Sequence, residues 1–502
     1  MSHVRALRTR RPGFDAVDGL TVYLGLALLV PASLTIVGLN SYGRPSMLWG
    51  LLLLFWWLLD HLHRGRPAPA RRGKPVRFVF GALVVVALVS YAAAMLRGQP
   101  YDQVSPAFSG MLRLAGWAGV LLMAVDGIRE IEQIRTLLRR FVWLACVQAA
   151  IGVAQFLTGQ TLIDRLSIPG LSPSEAAGVQ VRGSFVRAIG TTTHPLEYGA
   201  VLCMALPVAL ALAVSFDRGR EPGSRPAEGT PAWLARWLPA GFLAGALLLS
   251  ASRSSILGLI VAVGVVVIGL PSTARKLLLF GGGTLALVVV AGVPGMYRTM
   301  EGFFVGASDD PSTLSRTNGL AAAPGFIAAS PLFGTGLGTF LPRYYIFDDA
   351  WVLVTIELGI VGVVAFGLLL LTSVVSSLRV RWISGELDVA VIGQSLAAAV
   401  ATAAVVFAGF DGLSFPVSAG LLFLLVGLSG ALVGVAHADR ALASAPGPVQ
   451  VVTGAGGGAS ASPGEPGAAD APPSGLRGRP RRGRYSDLHD VLRHRPHVPL
   501  IR

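Results

Sequence analysis

GSFVRAIGTTTHPLEYGAVLCMALPVALALAVSF, residues 183–216, holds the two features that decide the fold. From Gly199 onward it carries no charged residue, and with its first turn it reaches the roughly 20 residues that cross a bilayer's hydrocarbon layer. Ahead of that run, Arg187, Thr191, Thr192, Thr193, His194, Pro195 and Glu197 crowd the mouth of the span. Ionisable groups in such a place need a physical reason.

The rest of the chain repeats the apolar theme. Of its 502 residues 53% are hydrophobic and 14% charged, with a mean hydropathy of +0.64; soluble domains carry about 25% charged residues. Span-length apolar runs recur near residues 19–39, 46–62, 77–96, 110–127, 141–158, 197–216, 237–251, 254–270, 277–294, 350–378, 388–409 and 416–436. The fold class this predicts is all-α, a polytopic helical membrane protein of about 12 transmembrane helices with two long loops, about 159–196 and 295–349. The seventh and eighth runs are short, and fit either tilted spans or one hairpin. The first run, from about Leu20, lacks a small-residue cleavage pattern and reads as a span rather than a leader. Residues 1–18 form a cytoplasmic N-terminus, 19–436 the membrane domain, and 437–502 a low-complexity, basic tail whose composition cannot bury a core. That tail reads as solvated and disordered, or as resting on anionic lipid. Cys146 and Cys203 both lie in apolar runs, so neither a disulfide framework nor a zinc site is indicated.

The net charge of +14 suggests nucleic acid at first sight, but the placement of the charges excludes it. With the N-terminus in the cytoplasm, 31 of the 41 Lys and Arg fall in inward segments, and the other ten, all arginines, fall on or near the outer face. This is the positive-inside bias expected of a multi-pass membrane protein with both termini in the cytoplasm.

Four clusters on the expected outer face carry the candidate chemistry. In the opening stretch, His194 and Glu197 are three apart, so a helix entered at Pro195 brings them together. Glu197 is either a helix-start acid of the ordinary kind or a site group; Arg187 has no such capping role. Arg253, in SASRSS (250–255), is either a site cation or a residue snorkelling to headgroups. Arg316, in DDPSTLSRTNG (309–319), either pairs with Asp309 or Asp310 or serves the site; a short surface helix after Ser315 and glycine turns at Gly334, Gly336 and Gly338 are expected to follow. In PRYYIFDDAWVLVTIELG (342–359), Asp348 and Asp349 meet the start of the tenth span, and Glu357 lies about 12 Å further along a helix, too deep for a first-turn acid. Arg182 and Arg343 are candidates for supporting the site.

Several arginines with two or three carboxylates suit phosphate binding and general-base work on a hydroxyl. No GK[ST] nucleotide loop is present, so the donor must arrive activated. A lipid-linked pyrophosphate sugar fits, with no cofactor and no metal. A transporter of a lipid-linked or small metabolite is the alternative. Carriers, however, place ionisable groups near the midplane and show internal repeats with broken helices, and no convincing repeat is seen. A scaffold acting through its basic tail is a third reading.

The order of these motifs is familiar: R with G-T and HP before one span, SR at an outer turn, R followed by SPLFGTGLGTF, then an acidic span start with IELGIVG. It resembles the O-antigen ligase and O-antigen polymerase superfamily over roughly residues 140–430. The resemblance implies a metal-independent glycosyltransferase of the outer leaflet in surface polysaccharide biosynthesis. Such an enzyme moves a glycan from undecaprenyl pyrophosphate to an acceptor hydroxyl. It also implies that Arg187, Arg253 and Arg316 hold pyrophosphate, and that the long loop before the tenth span frames the site. Many ligases place a His-Asn pair, the His as proposed base, where this chain reads FDDAW. The base is then Asp348, Asp349 or His194, or the chemistry follows the polymerases.

Overall fold

The computed structural model describes residues 14–39, 42–63, 75–174, 181–182, 185–215, 232–250, 252–270, 272–298, 301 and 311–444. Within them run thirteen helices that concern the site. They are α1 (Ala16–Leu28), α2 (Pro45–His63), α3 (Pro75–Leu96), α4 (Tyr101–Gly127), α5 (Ile131–Thr158), α6 (Pro195–Ser215), α7 (Ala232–Leu249), α8 (Arg253–Gly269), α9 (Ser272–Gly292), α10 (Pro311–Ala328), α11 (Ala350–Ser384), α12 (Leu387–Val406) and α13 (Pro416–Ser444). Nine described helices are long and apolar enough to cross a membrane. Three shorter apolar helices, Ala16–Leu28, Ala235–Leu249 and Arg253–Gly269, fall at the first, seventh and eighth expected spans. The protein is a polytopic helical membrane protein.

The centre of the bundle is α13, whose apolar stretch is wholly buried. It packs against α3, α4, α6, α11 and α12. Small residues let the helices close up, as membrane helices require where no hydrophobic force separates protein from lipid. A Cβ on Gly119 of α4 would overlap the Gly50 carbonyl of α2.

The first expected span, 19–39, is cut short. Helix α1 stops at Leu28, and beyond Pro31 the chain forms a strand, β1 (Leu34–Ile36), paired antiparallel with β2 (Leu171–Pro173). Proline cannot continue the helix, and the strand partner comes from a distant loop. A second small ribbon pairs β3 (Val181–Arg182) with β4 (Phe185–Val186), just ahead of Arg187. The helix expected after Ser315 is present as α10, but it begins at Pro311, ahead of Ser315, with proline at its first position. Helix α13 continues past residue 436 to Ser444; the tail beyond it lies outside the described residues.

Helix α11 breaks in the middle. Gly359 has φ 72° and ψ −173°, a conformation open to glycine. The backbone groups freed there are bound by the glycine motif. Thr335 N–H donates to Ile356 O (3.0 Å), Gly336 N–H to Glu357 O (2.8 Å), and Ile360 N–H to Pro331 O (2.8 Å). Ser90 Oγ of α3 also donates to Glu357 O, at 3.0 Å. The fit is tight on both sides: a Cβ on Gly334 would overlap the Glu357 backbone, and one on Gly359 the Leu332 carbonyl. Thus SPLFGTGLGTF and IELGIVG are two halves of one joint. Arg97 locks it from outside, donating to Ser330 Oγ and Gly334 O, both at 2.7 Å.

Gly359→Ala is expected to lower the thermal midpoint of detergent-extracted protein. The backbone strain alone costs on the order of 1–3 kcal/mol, before the overlap with Leu332 is counted. Gly281→Ala, where a Cβ meets nothing within 4 Å, is expected to leave the midpoint unchanged. Equal midpoints for the two variants would remove the strain argument.

Candidate functional site

The N-termini of α6, α8, α11 and α13 meet at one end of the bundle. The loop that carries Arg187 and His194 into α6 is moulded onto α5 by two glutamines buried in that apolar helix. Gln155 Oε1 accepts from Ile189 N–H (3.0 Å) and Gly190 N–H (2.8 Å), and its Nε2 donates to Gly190 O (2.9 Å). Gln148 Oε1 accepts from Thr191 N–H at 3.1 Å and Thr191 Oγ at 2.6 Å. Gly190 turns the chain with φ 57°. A side chain there would press on Gln148.

Glu197 closes the same region from below. Its Oε2 accepts from Thr193 N–H (3.1 Å) and Thr193 Oγ (3.2 Å). Its Oε1 accepts from Val417 N–H (2.8 Å) and Ser418 N–H (3.3 Å) at the start of α13. One fully buried carboxylate therefore caps its own helix entry and the entry of a helix 220 residues away.

Five of the expected site residues, from segments scattered over the sequence, line one polar cavity of about 180 Å³: Arg187, His194, Arg253, Arg316 and Asp348, joined by Leu196, Ser252 and Ser254. Arg253 Nη1 donates to Thr313 Oγ of α10 at 2.8 Å. Arg316 Nη2 donates to Gly409 O at 2.7 Å, while its buried Nε–H meets no acceptor among the described residues. Asp309 and Asp310, the sequence's partners for Arg316, lie outside the described residues. Asp348 stands 3.5 Å from Ser315 Oγ.

The remaining candidates are not among the lining residues. Asp349 is the N-cap of α11, its Oδ1 accepting from Trp351 N–H (2.8 Å) and Val352 N–H (3.2 Å). Burial raises its carboxyl above the usual range, against those two bonds and the charge of Arg316. Glu357 sits in the α11 break and accepts from Phe340 N–H at 3.3 Å. Arg343 pairs with Asp102 and lies over the Tyr344 ring. The side chain of Arg182 lies outside the described residues.

The surroundings of His194 favour one protonation state. Its Nδ1 accepts the Leu196 N–H at 3.2 Å, which favours the tautomer with the ring proton on Nε2. Burial, then the charge of Arg187, pushes it down to about 4. The imidazole is neutral at pH 7 and offers an N–H.

Sequence reasoning missed Asp411, in the turn between α12 and α13. It is close enough to Arg113, Asp348 and Glu357 to feel their charges. Burial pushes its carboxyl up to about 6, with Asp348 adding to the rise and Ser414 and Arg113 opposing it. The available signal was an acid in a short turn at the same end as the ten outlying arginines. Gln148 and Gln155 were visible as amides inside an apolar run. Among the described residues no three His, Cys, Asp or Glu side chains gather as a metal site.

Residues 238–367 match the family model described as O-antigen ligase. The matched segment holds Arg253, Arg316, Asp348 and the whole glycine joint. No curated protein matches the chain. The family match supports the O-antigen ligase and polymerase superfamily, and with it a membrane protein of surface glycan synthesis.

Glu197→Ala is expected to destabilise the protein by about 3 kcal/mol or more, since it orphans several buried donors at about 1–3 kcal/mol each. Detergent melting checks this; a wild-type midpoint would deny the capping role. His194 predicts a pH dependence. Its folded value lies below the unfolded one of about 6.5, so its contribution to stability is present above pH 6.5 and is lost as pH falls toward 4. In His194→Gln the drop in melting midpoint between pH 6.5 and 4 should be shallower than in wild type. An unchanged slope would contradict the assignment.

Proposed function

We propose that this protein, a multi-pass relative of the O-antigen ligases, transfers a glycan from a polyprenyl-pyrophosphate lipid to an acceptor hydroxyl. The observation that carries the reading is the convergence of three arginines and one aspartate on a single small cavity. The charge asymmetry of the loops supports the reading that this end of the bundle faces outward from the cytoplasmic membrane.

In this reading Arg187, Arg253 and Arg316 hold the donor's pyrophosphate. Guanidinium is planar, permanently charged and matched to phosphate oxygens. Negative charge grows on the pyrophosphate as the anomeric carbon–oxygen bond breaks, and preorganised cations stabilise it there. Asp348 takes the proton of the acceptor hydroxyl. The acceptor oxygen bonds to the anomeric carbon, and the bonding electrons leave with the pyrophosphate. Neutral His194 donates its Nε2–H to an oxygen of the donor; with Nδ1 engaged and Nε2 protonated it is not the base. Asp349 contributes by capping the helix that follows Asp348. The acid thus stands where many ligases carry histidine.

Joining repeat units and attaching finished chains both use this chemistry, so the proposal covers polymerisation and ligation alike. The transporter reading draws on the broken helix α11, but the glycine motif satisfies the Ile356 and Glu357 carbonyls freed there without an ion.

Arg187→Ala and Arg316→Ala are expected to abolish transfer while the protein remains in the membrane. Asp348→Asn is expected to slow transfer by about 10²–10⁴-fold, and Asp349→Asn, which keeps the cap, to change it little. The test is a gel of surface polysaccharide and lipid-linked intermediates from strains carrying each variant. Wild-type glycan length and yield in the arginine variants would overturn the site, and equal loss in the two aspartate variants the choice of base.

A further inference from the structure

Behind the arginine cavity lies a second group of charges that the chemistry above leaves unused. Arg113, one of the ten outlying arginines, stands twelve residues past Tyr101 in α4, about 18 Å along that helix. A cation at such depth is costly and marks function by default. It feels the charges of two acids, Glu357 of α11 and Asp411 of the turn between α12 and α13. None of the three lines the cavity.

The fold itself uses two of them. Glu357 accepts from Phe340 N–H at 3.3 Å and from Gly338 N–H, so it fastens the glycine joint. Arg113 lies against that joint, where a Cβ on Gly338 would stand 3.3 Å from its Nη2. Asp411 is different. Ser414 engages its carboxyl through hydroxyl and backbone N–H, yet its buried Oδ1 meets no hydrogen-bond partner among the described residues. A bare oxygen of that kind is unfavourable in a carboxylate, and a proton placed on the group relieves it.

The turn that carries Asp411 forms the wall behind Asp348. Ala350 N–H donates to Phe407 O at 2.9 Å, fastening the start of α11 to the end of α12. Arg316 holds Gly409 O, and a Cβ on Gly409 would stand 3.4 Å from Ser254, which lines the cavity. From α13 the Ser418 hydroxyl donates to Gly412 O at 2.7 Å, with Glu197 bound to the Ser418 N–H beyond it. The charged groups facing Asp411 are then Asp348 on the cavity side and Arg113 and Glu357 on the bundle side.

We propose that Asp411 is a proton relay, taking from Asp348 the proton of the acceptor hydroxyl and returning that base to its carboxylate form, an inference that rests on reading Asp348 as the base. As the acceptor oxygen bonds to the anomeric carbon, its proton passes to Asp348. The Asp348 O–H bond then breaks, an O–H bond forms at Asp411 Oδ1, and the two carboxyls exchange one proton and one negative charge. Asp411 gives the proton to water once the products leave. While donor and acceptor fill a cavity of about 180 Å³, Asp348 has no water of its own to discharge to, and the relay supplies the exit. Burial pushes the Asp411 carboxyl up to about 6, with Ser414 and Arg113 opposing the rise. The group is therefore mostly ionised at neutral pH yet takes a proton readily, as a relay must.

The experiment measures transfer by the purified full-length protein in detergent, given lipid-linked glycan and membrane extract from a strain that lacks it. Asp411→Asn is expected to lower kcat by about tenfold or more with KM for the lipid-linked glycan unchanged, and to remove an ionisation near pH 6 from the acid limb of the rate profile. Asp411→Glu, which restores a carboxyl, should recover most of the rate and the limb. Ser414→Ala removes a hydrogen bond that favours the ionised form, so it should move the limb to higher pH, and it keeps the test decisive where Asp411→Asn fails to fold. Wild-type kcat in Asp411→Asn, a loss that Asp411→Glu does not recover, or an acid limb that Ser414→Ala leaves in place would each overturn the relay. Failure of the underlying reading shows separately, as transfer at the wild-type rate by Asp348→Asn.

Discussion

A helix broken inside a membrane exposes backbone N–H and C=O groups where no water can reach them. Helix α11 is broken at Gly359, and the structure answers with a second stretch of backbone, residues 331–336, laid against the break. Much of the site end follows from that joint. The glycine motif is pinned to α11 on one side and approaches α4 on the other, where a Cβ on Gly110 would overlap the Leu337 carbonyl. From this fixed point the chain runs on to residues 341–349 and delivers Asp348 beside the start of α11, where Asp349 caps the first turn. A residue that lines the cavity is thus placed by hydrogen bonds made deep in the bundle.

The electrostatics of that end run in one direction. Four helices, α6, α8, α11 and α13, present their N-termini there, each with a partial positive charge. Carboxylates settle three of them: Glu197 serves α6 and α13, and Asp349 serves α11. The fourth, α8, begins with Arg253 instead. A cation at a helix N-terminus is unfavourable by about 0.3–1 kcal/mol, and Arg187 and Arg316 share the same cavity wall. Such crowding of positive charge is hard to rationalise as packing and suits a multiply charged anion.

The sequence made the helices legible because apolar runs of span length have few other meanings. It also singled out the arginines, since a cation at a membrane edge is informative by itself. What it left open was the division of labour among acids. Glu197, Asp348 and Asp349 look alike as letters near helix starts. They differ only in what they touch: the backbone of a helix 220 residues away, a cavity, and the first turn of their own helix. Asp411 went unnoticed for the same reason, since its importance comes from Arg113 and Asp348 approaching it in space. The end of α1 was misjudged because its continuation, β1, takes its partner from residues 171–173.

The protonation of His194 narrows the proposed chemistry further than its position does. A histidine beside a reacting hydroxyl is the reflex choice of base, and the HP motif invites it. But a base needs a lone pair, and the Leu196 N–H occupies the one on Nδ1. Moving the proton to Nδ1 would set two N–H groups against each other at a buried turn. Arg187 nearby makes a positive imidazolium unfavourable as well. In the proposed chemistry the same turn that fixes the ring makes it a donor and not the base. Asp348, whose neighbour Asp349 has taken over the helix cap, is the carboxylate left facing the cavity. On that proposal a donor histidine and an acceptor aspartate place opposite hydrogen-bonding preferences on the cavity wall, which suits a transfer between an anionic donor and a hydroxyl acceptor.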